Sequence, residues 1–147
     1  MLMKKKILLV LAIVLIVIQF IHPTKNQQAN ILDSDITKVR SVPEDVQQLL
    51  KTACYDCHSN NTVYPWYNNI QPVAWWLNKH VNNGKKQLNF SEFGAYDEKK
   101  AKHKLHELVE TLEKNEMPLF SYTIIHKDAK LNDAQKKIII DWAKANQ

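Results

Sequence analysis

Glycine is nearly missing from this chain of 147 residues, which holds two. With Leu, Lys, Ala, Gln and Glu common, the composition favours helices over turn-rich architectures. Cysteine is equally scarce. Cys54 and Cys57 are the full complement and lie in one pentapeptide, so none is left for a structural disulfide elsewhere. No βαβ pattern surrounds them, which argues against a thioredoxin-like dithiol. The remaining histidines form no regularly spaced pair, so a zinc site built on the two thiols would lack its other ligands. A clustered basic face is absent too. The formal charge is +5, but Lys4, Lys5 and Lys6 supply three of those charges; the rest carries 17 Lys and Arg against 15 Asp and Glu, a net +2. No recognisable nucleic-acid module accompanies it, so nucleic acid is not an expected partner. The length suits one modest domain plus a targeting segment.

What is present is Cys54-Tyr55-Asp56-Cys57-His58. Two cysteines separated by two residues and followed directly by histidine read as a c-type haem attachment site. The two thiols add across the two vinyl groups of one haem, so their separation must match the vinyl spacing. The adjacent imidazole of His58 then lies under the iron as proximal ligand.

Residues 1–22 are a basic start followed by an apolar run from Ile7 to Ile21, broken by Gln19. A positive flank before an apolar segment places the N-terminus in the cytoplasm and the remainder across the membrane. The run is short for a span and suits a signal-peptide core. No good small-residue cleavage site follows, however, so an uncleaved anchor is preferred to a removed signal. Either way the domain is expected to be exported, in keeping with haem attachment outside the bacterial cytoplasm. Residues 23–40 are polar and read as a tether.

Residues 41–147 form the expected domain. A first helix is predicted to open at Ser41-Val42-Pro43-Glu44, with Ser41 as cap and Val46, Leu49, Leu50 and Ala53 as apolar face. It delivers the two cysteines at its C-terminal end. The aromatic stretch Tyr64-Pro65-Trp66-Tyr67 either fills a core or lines a cofactor pocket, and at least one of Tyr64, Trp66 and Tyr67 is expected to touch the haem. A second helix runs from Pro72 to a stop at Gly84, with Val73, Trp76, Leu77 and Val81 as its stripe. His80 in that stripe reads as a half-buried core residue in preference to a second axial ligand. A third helix, capped by Asp97, extends to about Lys114 and buries Ala101, Leu105, Leu108, Val109 and Leu112. His103 and His106 fall off that face. Met117-Pro118 ends it, because proline disfavours helical geometry in the residue before it. Met117 is then free to approach the iron from the side opposite His58, as a soft thioether that raises the reduction potential. His126 and His80 are the alternatives for that position. A last helix starts near Asn132-Asp133, with Ala134, Ile138 and Trp142 inward, Ile139 flanking them and Leu131 as staple.

Several of these pieces together resemble a known family: Cys54-Tyr55-Asp56-Cys57-His58-Ser59-Asn60, Tyr64-Pro65-Trp66-Tyr67, Pro72 with Trp75-Trp76, Leu88-Asn89-Phe90-Ser91, Glu116-Met117-Pro118, and Leu131 onward to Asp141-Trp142. They are similar to the small bacterial haem-binding domain proteins, monohaem proteins similar to class I cytochromes c. The resemblance implies an all-α fold of about four helices around one covalent haem, with His58 proximal and Met117 as the expected distal ligand. The expected function is electron transfer between redox partner proteins, by a non-enzymatic carrier tethered to the bacterial inner membrane and facing the periplasm. A haem-based sensor or peroxidase-like protein is the alternative; it needs an open or displaceable distal site, with His106 or His126 as acid/base.

Overall fold

The computed structural model describes residues 2–28 and 30–147; Met1 of the expected anchor and Ala29 of the expected tether lie outside the described residues. Among the described residues eight α-helices follow one another: α1 (Leu2–Ile18), α2 (Ile36–Val39), α3 (Glu44–Ala53), α4 (Tyr55–His58), α5 (Val73–Gln87), α6 (Glu98–Glu113), α7 (Phe120–Thr123) and α8 (Asp133–Ala145). Short 3-10 turns at Trp66–Asn69, Phe90–Ala95 and Lys127–Ala129 link them. No β-strand forms among these residues, so the fold is all-α.

Capping explains most boundaries. The Asp97 carboxylate accepts the Lys100 N–H at 2.8 Å and opens α6. Asn132 and Gln135 exchange side-chain and backbone bonds at 2.9 Å each, a capping box at the start of α8. The expected Ser41 cap is not formed. Pro43 occupies the N-cap position of α3 without a side-chain bond, which leaves Ser41 too far upstream to reach the free N–H groups. The Ser41 carbonyl instead accepts the Trp142 indole N–H at 3.0 Å and ties α8 to α3.

The core lies between α3, α6 and α8. All five predicted residues of α6 are buried, together with Val46, Leu50 and Ala53 of α3. On α8 the buried side chains are Ile139, Trp142 and Ala143. Ala134 and Ile138 are exposed, so the inward face is rotated one residue from the predicted one. Phe90 and Phe93 are fully buried in the 3-10 turn between α5 and α6.

Residues 23–40 are not a free tether. Asp35 caps α2 by accepting the Thr37 N–H at 2.9 Å, and Ile36 is completely buried. The Gln28 N–H donates to the Asn60 carbonyl at 3.0 Å and the Thr62 N–H to the Asn26 carbonyl at 2.9 Å. One large apolar side chain and a few backbone bonds suffice to fix a polar segment against the domain.

The first helix behaves differently. Its apolar side chains from Ile7 to Val17 are exposed all round. At 1.5 Å per residue its 17 residues extend about 26 Å. No helix among the described residues is long and apolar enough to cross a membrane.

Candidate functional site

Cys54 terminates α3. Its backbone leaves the helical region at φ −129°, and its carbonyl accepts the Cys57 and His58 N–H groups at 3.1 and 2.9 Å. The helix predicted to carry both thiols therefore breaks between them, and α4 carries Cys57 and His58 as a separate turn. Helix α5 lies directly on α4, and Gly84 is the reason it can. A Cβ there would stand 3.0 Å from the carbonyl carbon and Cβ of Cys57 and still closer to its carbonyl oxygen. The helix runs through Gly84 to Gln87 instead of stopping at it. Gly94 similarly leaves room for Val39 of α2.

That approach sets His58. Leu88, the C-cap residue of α5, presents its carbonyl to Nδ1 of His58 at 2.9 Å. A carbonyl can only accept, so Nδ1 carries the proton and Nε2 keeps its lone pair. Phe90 meets the imidazole edge-on, with ring centres 6.3 Å apart, and stacks on Tyr55 at 5.1 Å. Burial holds the His58 pKa below its ordinary 6.5, against the opposing pull of the Leu88 and Gly84 carbonyls. Burial also pushes the Cys54 thiol up to about 12 and Cys57 to about 11. Both are protonated thiols at neutral pH, unlike the low-pKa cysteines of dithiol oxidoreductases. Among the described residues no group of three or more His, Cys, Asp or Glu is placed to hold a metal ion.

Three adjoining cavities of about 330, 240 and 340 Å³ surround this turn. The first two share Cys54, His58 and Met117 in their walls. The second and third share Cys57, His80, Leu119 and Tyr122. Ligand sites are typically cavities of about 300–1,000 Å³ with apolar walls and a few placed polar groups.

Met117 reaches the first two cavities because α6 closes with a tight reversal. Asn115 adopts a left-handed conformation at φ 57°. The Glu116 N–H then returns to the Thr111 carbonyl at 2.9 Å and the Asn115 N–H to the Leu112 carbonyl at 3.2 Å, the paired bonds of a Schellman motif. The helix thus ends before the proline acts on it, and the reversal points Met117 inward.

The loop after Met117 is pinned to the turn that carries Cys57 and His58. Tyr122 donates its hydroxyl proton to Asp56 Oδ2 at 2.7 Å, while Asp56 Oδ1 accepts the Val63 N–H at 3.0 Å. Burial, then the Asp56 carboxylate, raise the Tyr122 pKa far above the phenolic range. Tyr67 hydrogen-bonds His126 Nε2 at 2.9 Å, and His126 stacks on Tyr122 at 4.3 Å.

Of the three aromatic candidates, Tyr67 lines the third cavity beside Cys57. Tyr64 does not; its hydroxyl accepts the Asn26 N–H at 2.9 Å. Trp66 is 75% exposed on the surface. His80 borders the second and third cavities, with Nδ1 donating to the Trp76 carbonyl at 2.8 Å. His103 and His106 are exposed and face Glu107 and Glu110. Sequence reasoning took Gly84 for a helix stop and gave no role of their own to Asp56, Leu88, Asn115 and Tyr122. Only Asn115 carried a local signal, an asparagine directly after the last helical turn.

Comparison with known proteins gives one match. The family model described as a haem-binding domain covers residues 13–145, beginning within α1 and including the segment before α3. No curated protein and no solved structure matches.

Proposed function

This chain belongs to the haem-binding domain family, and from that premise we propose that it is a membrane-tethered monohaem c-type cytochrome, similar to class I cytochromes c, carrying electrons on the periplasmic side. In this reading Cys54 and Cys57 would hold the haem as thioethers, and His58 and Met117 would ligate its iron. The residues fit the group. Both thiols and the imidazole come from one turn, the His58 Nε2 lone pair is unengaged, and Met117 shares two cavity walls with His58. The single observation that carries the proposal is that shared wall of Cys54, His58 and Met117.

Haem bound there supplies a one-electron couple at its iron. The protein contributes everything around it. The Leu88 carbonyl fixes the tautomer and orientation of His58, a bond that also makes Nε2 a better donor. Phe90 and Leu112 exclude water from the cavity, which with the axial ligands sets the potential. Tyr122 and Asp56 hold the loop that follows Met117, so the thioether stays in place. A carrier needs this: ligands that stay in place let the oxidation state change with little rearrangement. The exposed apolar surface of α1 suits lipid, and a short apolar segment inserts where the bilayer thins or flanking residues snorkel.

The test is spectroscopic. Protein made alongside a cytochrome c maturation system should keep its colour through denaturing electrophoresis. In the oxidised state it should show the weak red absorption band of iron–thioether ligation. Ready binding of carbon monoxide by the unaltered reduced protein would favour the sensor or peroxidase-like reading instead.

A further inference from the structure

The chain leaving α1 does not run free before it meets the domain. Within three residues of the helix end, Gln19 and Gln71 form a reciprocal pair: the Gln71 N–H donates to Gln19 Oε1 at 2.9 Å, and Gln19 Nε2 donates to the Gln71 carbonyl at 3.2 Å. Two further donors close on the Ile21 carbonyl, Gln71 Nε2 at 2.8 Å and the Trp75 indole N–H at 3.0 Å. Gln71 is buried, so this is a fixed joint at the mouth of α5.

Around that joint the surface is apolar and aromatic. Phe20 is 83% exposed, Trp66 75%, Ile70 45%, Trp76 45% and Trp75 37%. Lys79 follows Trp75 by four residues and Trp76 by three on α5, which places it beside both, and it is exposed. Indole rings beside a cation are what the lipid headgroup layer accepts: the ring sits at the boundary and the ammonium among phosphates. Exposed apolar surface rich in indole rings marks an interaction surface.

We propose that the domain is seated directly on the bilayer through Trp66, Ile70, Trp75, Trp76 and Phe20, in an orientation set by the Gln19–Gln71 joint, instead of swinging on a tether. The occupant is the headgroup layer of an anionic bilayer. The argument for lipid is continuity, because the patch begins where the apolar surface of α1 ends. A helix of about 26 Å against a hydrocarbon core of about 30 Å also draws its first outer residues down to headgroup level. This inference rests on the membrane tether proposed above.

The experiment is hydroxyl-radical labelling, read by mass spectrometry, of the haem-loaded full chain in vesicles of phosphatidylethanolamine and phosphatidylglycerol. His103 and His106, exposed on α6, serve as internal references. The expected result is protection of both α1 and the patch, with Trp66 labelled at least about fivefold more slowly than His103 despite its greater exposure and reactivity. If α1 is protected while Trp66 and Trp76 label faster than His103, the seat is wrong and the tether stands. If α1 itself is labelled, the tether reading fails and the seat with it.

Discussion

Replacing Gly84 by alanine probes the contact on which the turn carrying Cys57 and His58 depends. In an exposed helix interior this change stabilises by about 0.5–1 kcal/mol, since glycine is the poorer helix former. Here the new methyl stands 3.0 Å from the Cys57 carbonyl carbon and Cβ. Its obstacle is backbone, which cannot swing aside as a side-chain tip would. Either α5 or α4 must shift, and overpacking of this kind costs about 1–3 kcal/mol. The balance is a net loss centred on about 1 kcal/mol and at most about 2.5 kcal/mol, or a urea midpoint lower by about 0.5–1 M for a domain of this size. The loss should fall on the site as well, because the same displacement moves Leu88 away from His58 Nδ1. Urea unfolding of the haem-loaded protein, followed by far-ultraviolet circular dichroism, reads the first effect; the iron–thioether band reads the second. Asn82→Ala, at an exposed position of the same helix, is the control and should be neutral or stabilising. A Gly84→Ala midpoint equal to or above that of the unaltered protein would refute the close approach of α5 to α4.

Met117→Ala should leave the haem covalently bound but abolish the weak red band and admit carbon monoxide to the reduced iron; retention of the band would assign the distal position to another residue. Tyr122→Phe deletes the donor to Asp56 Oδ2 and leaves that oxygen without its 2.7 Å partner, so stability should fall by about 1–2 kcal/mol, measurable by the same urea titration. Asn60→Ala removes the acceptor of the buried Asn89 amide, and the donor to Gln28 and Glu92 at 3.0 and 2.8 Å. It should cost about 1–3 kcal/mol and speed hydrogen exchange at the Gln28 and Thr62 amides, whereas unchanged exchange would show that residues 26–28 are held without the Asn60 side chain.

What could be read in the sequence was local. Cys54, Cys57 and His58 are one contiguous signal, and the Asp97 and Asn132 caps act within three residues of themselves. The buried face of α6 follows from spacing, because its polar and apolar residues separate cleanly. On α8 they do not. Ala134, Ile138 and Trp142 fit the helical period as well as Ile139, Trp142 and Ala143 do, and only packing against α3 and α6 decides between them. The segment 23–40 looked like a tether because its composition is polar, yet Ile36 alone places it in the core. Gly84 was misread for a related reason. A glycine late in a helical pattern signals a stop as readily as a close contact, and the contact is with a turn 27 residues earlier. The Tyr122–Asp56 bond spans 66 residues and has no trace in either local pattern.

The most direct test of the account is the intact mass of the protein, made where the haem attachment machinery is supplied. One haem added to the polypeptide, lost on replacing both Cys54 and Cys57 by alanine, is the predicted result. An unmodified polypeptide would contradict it.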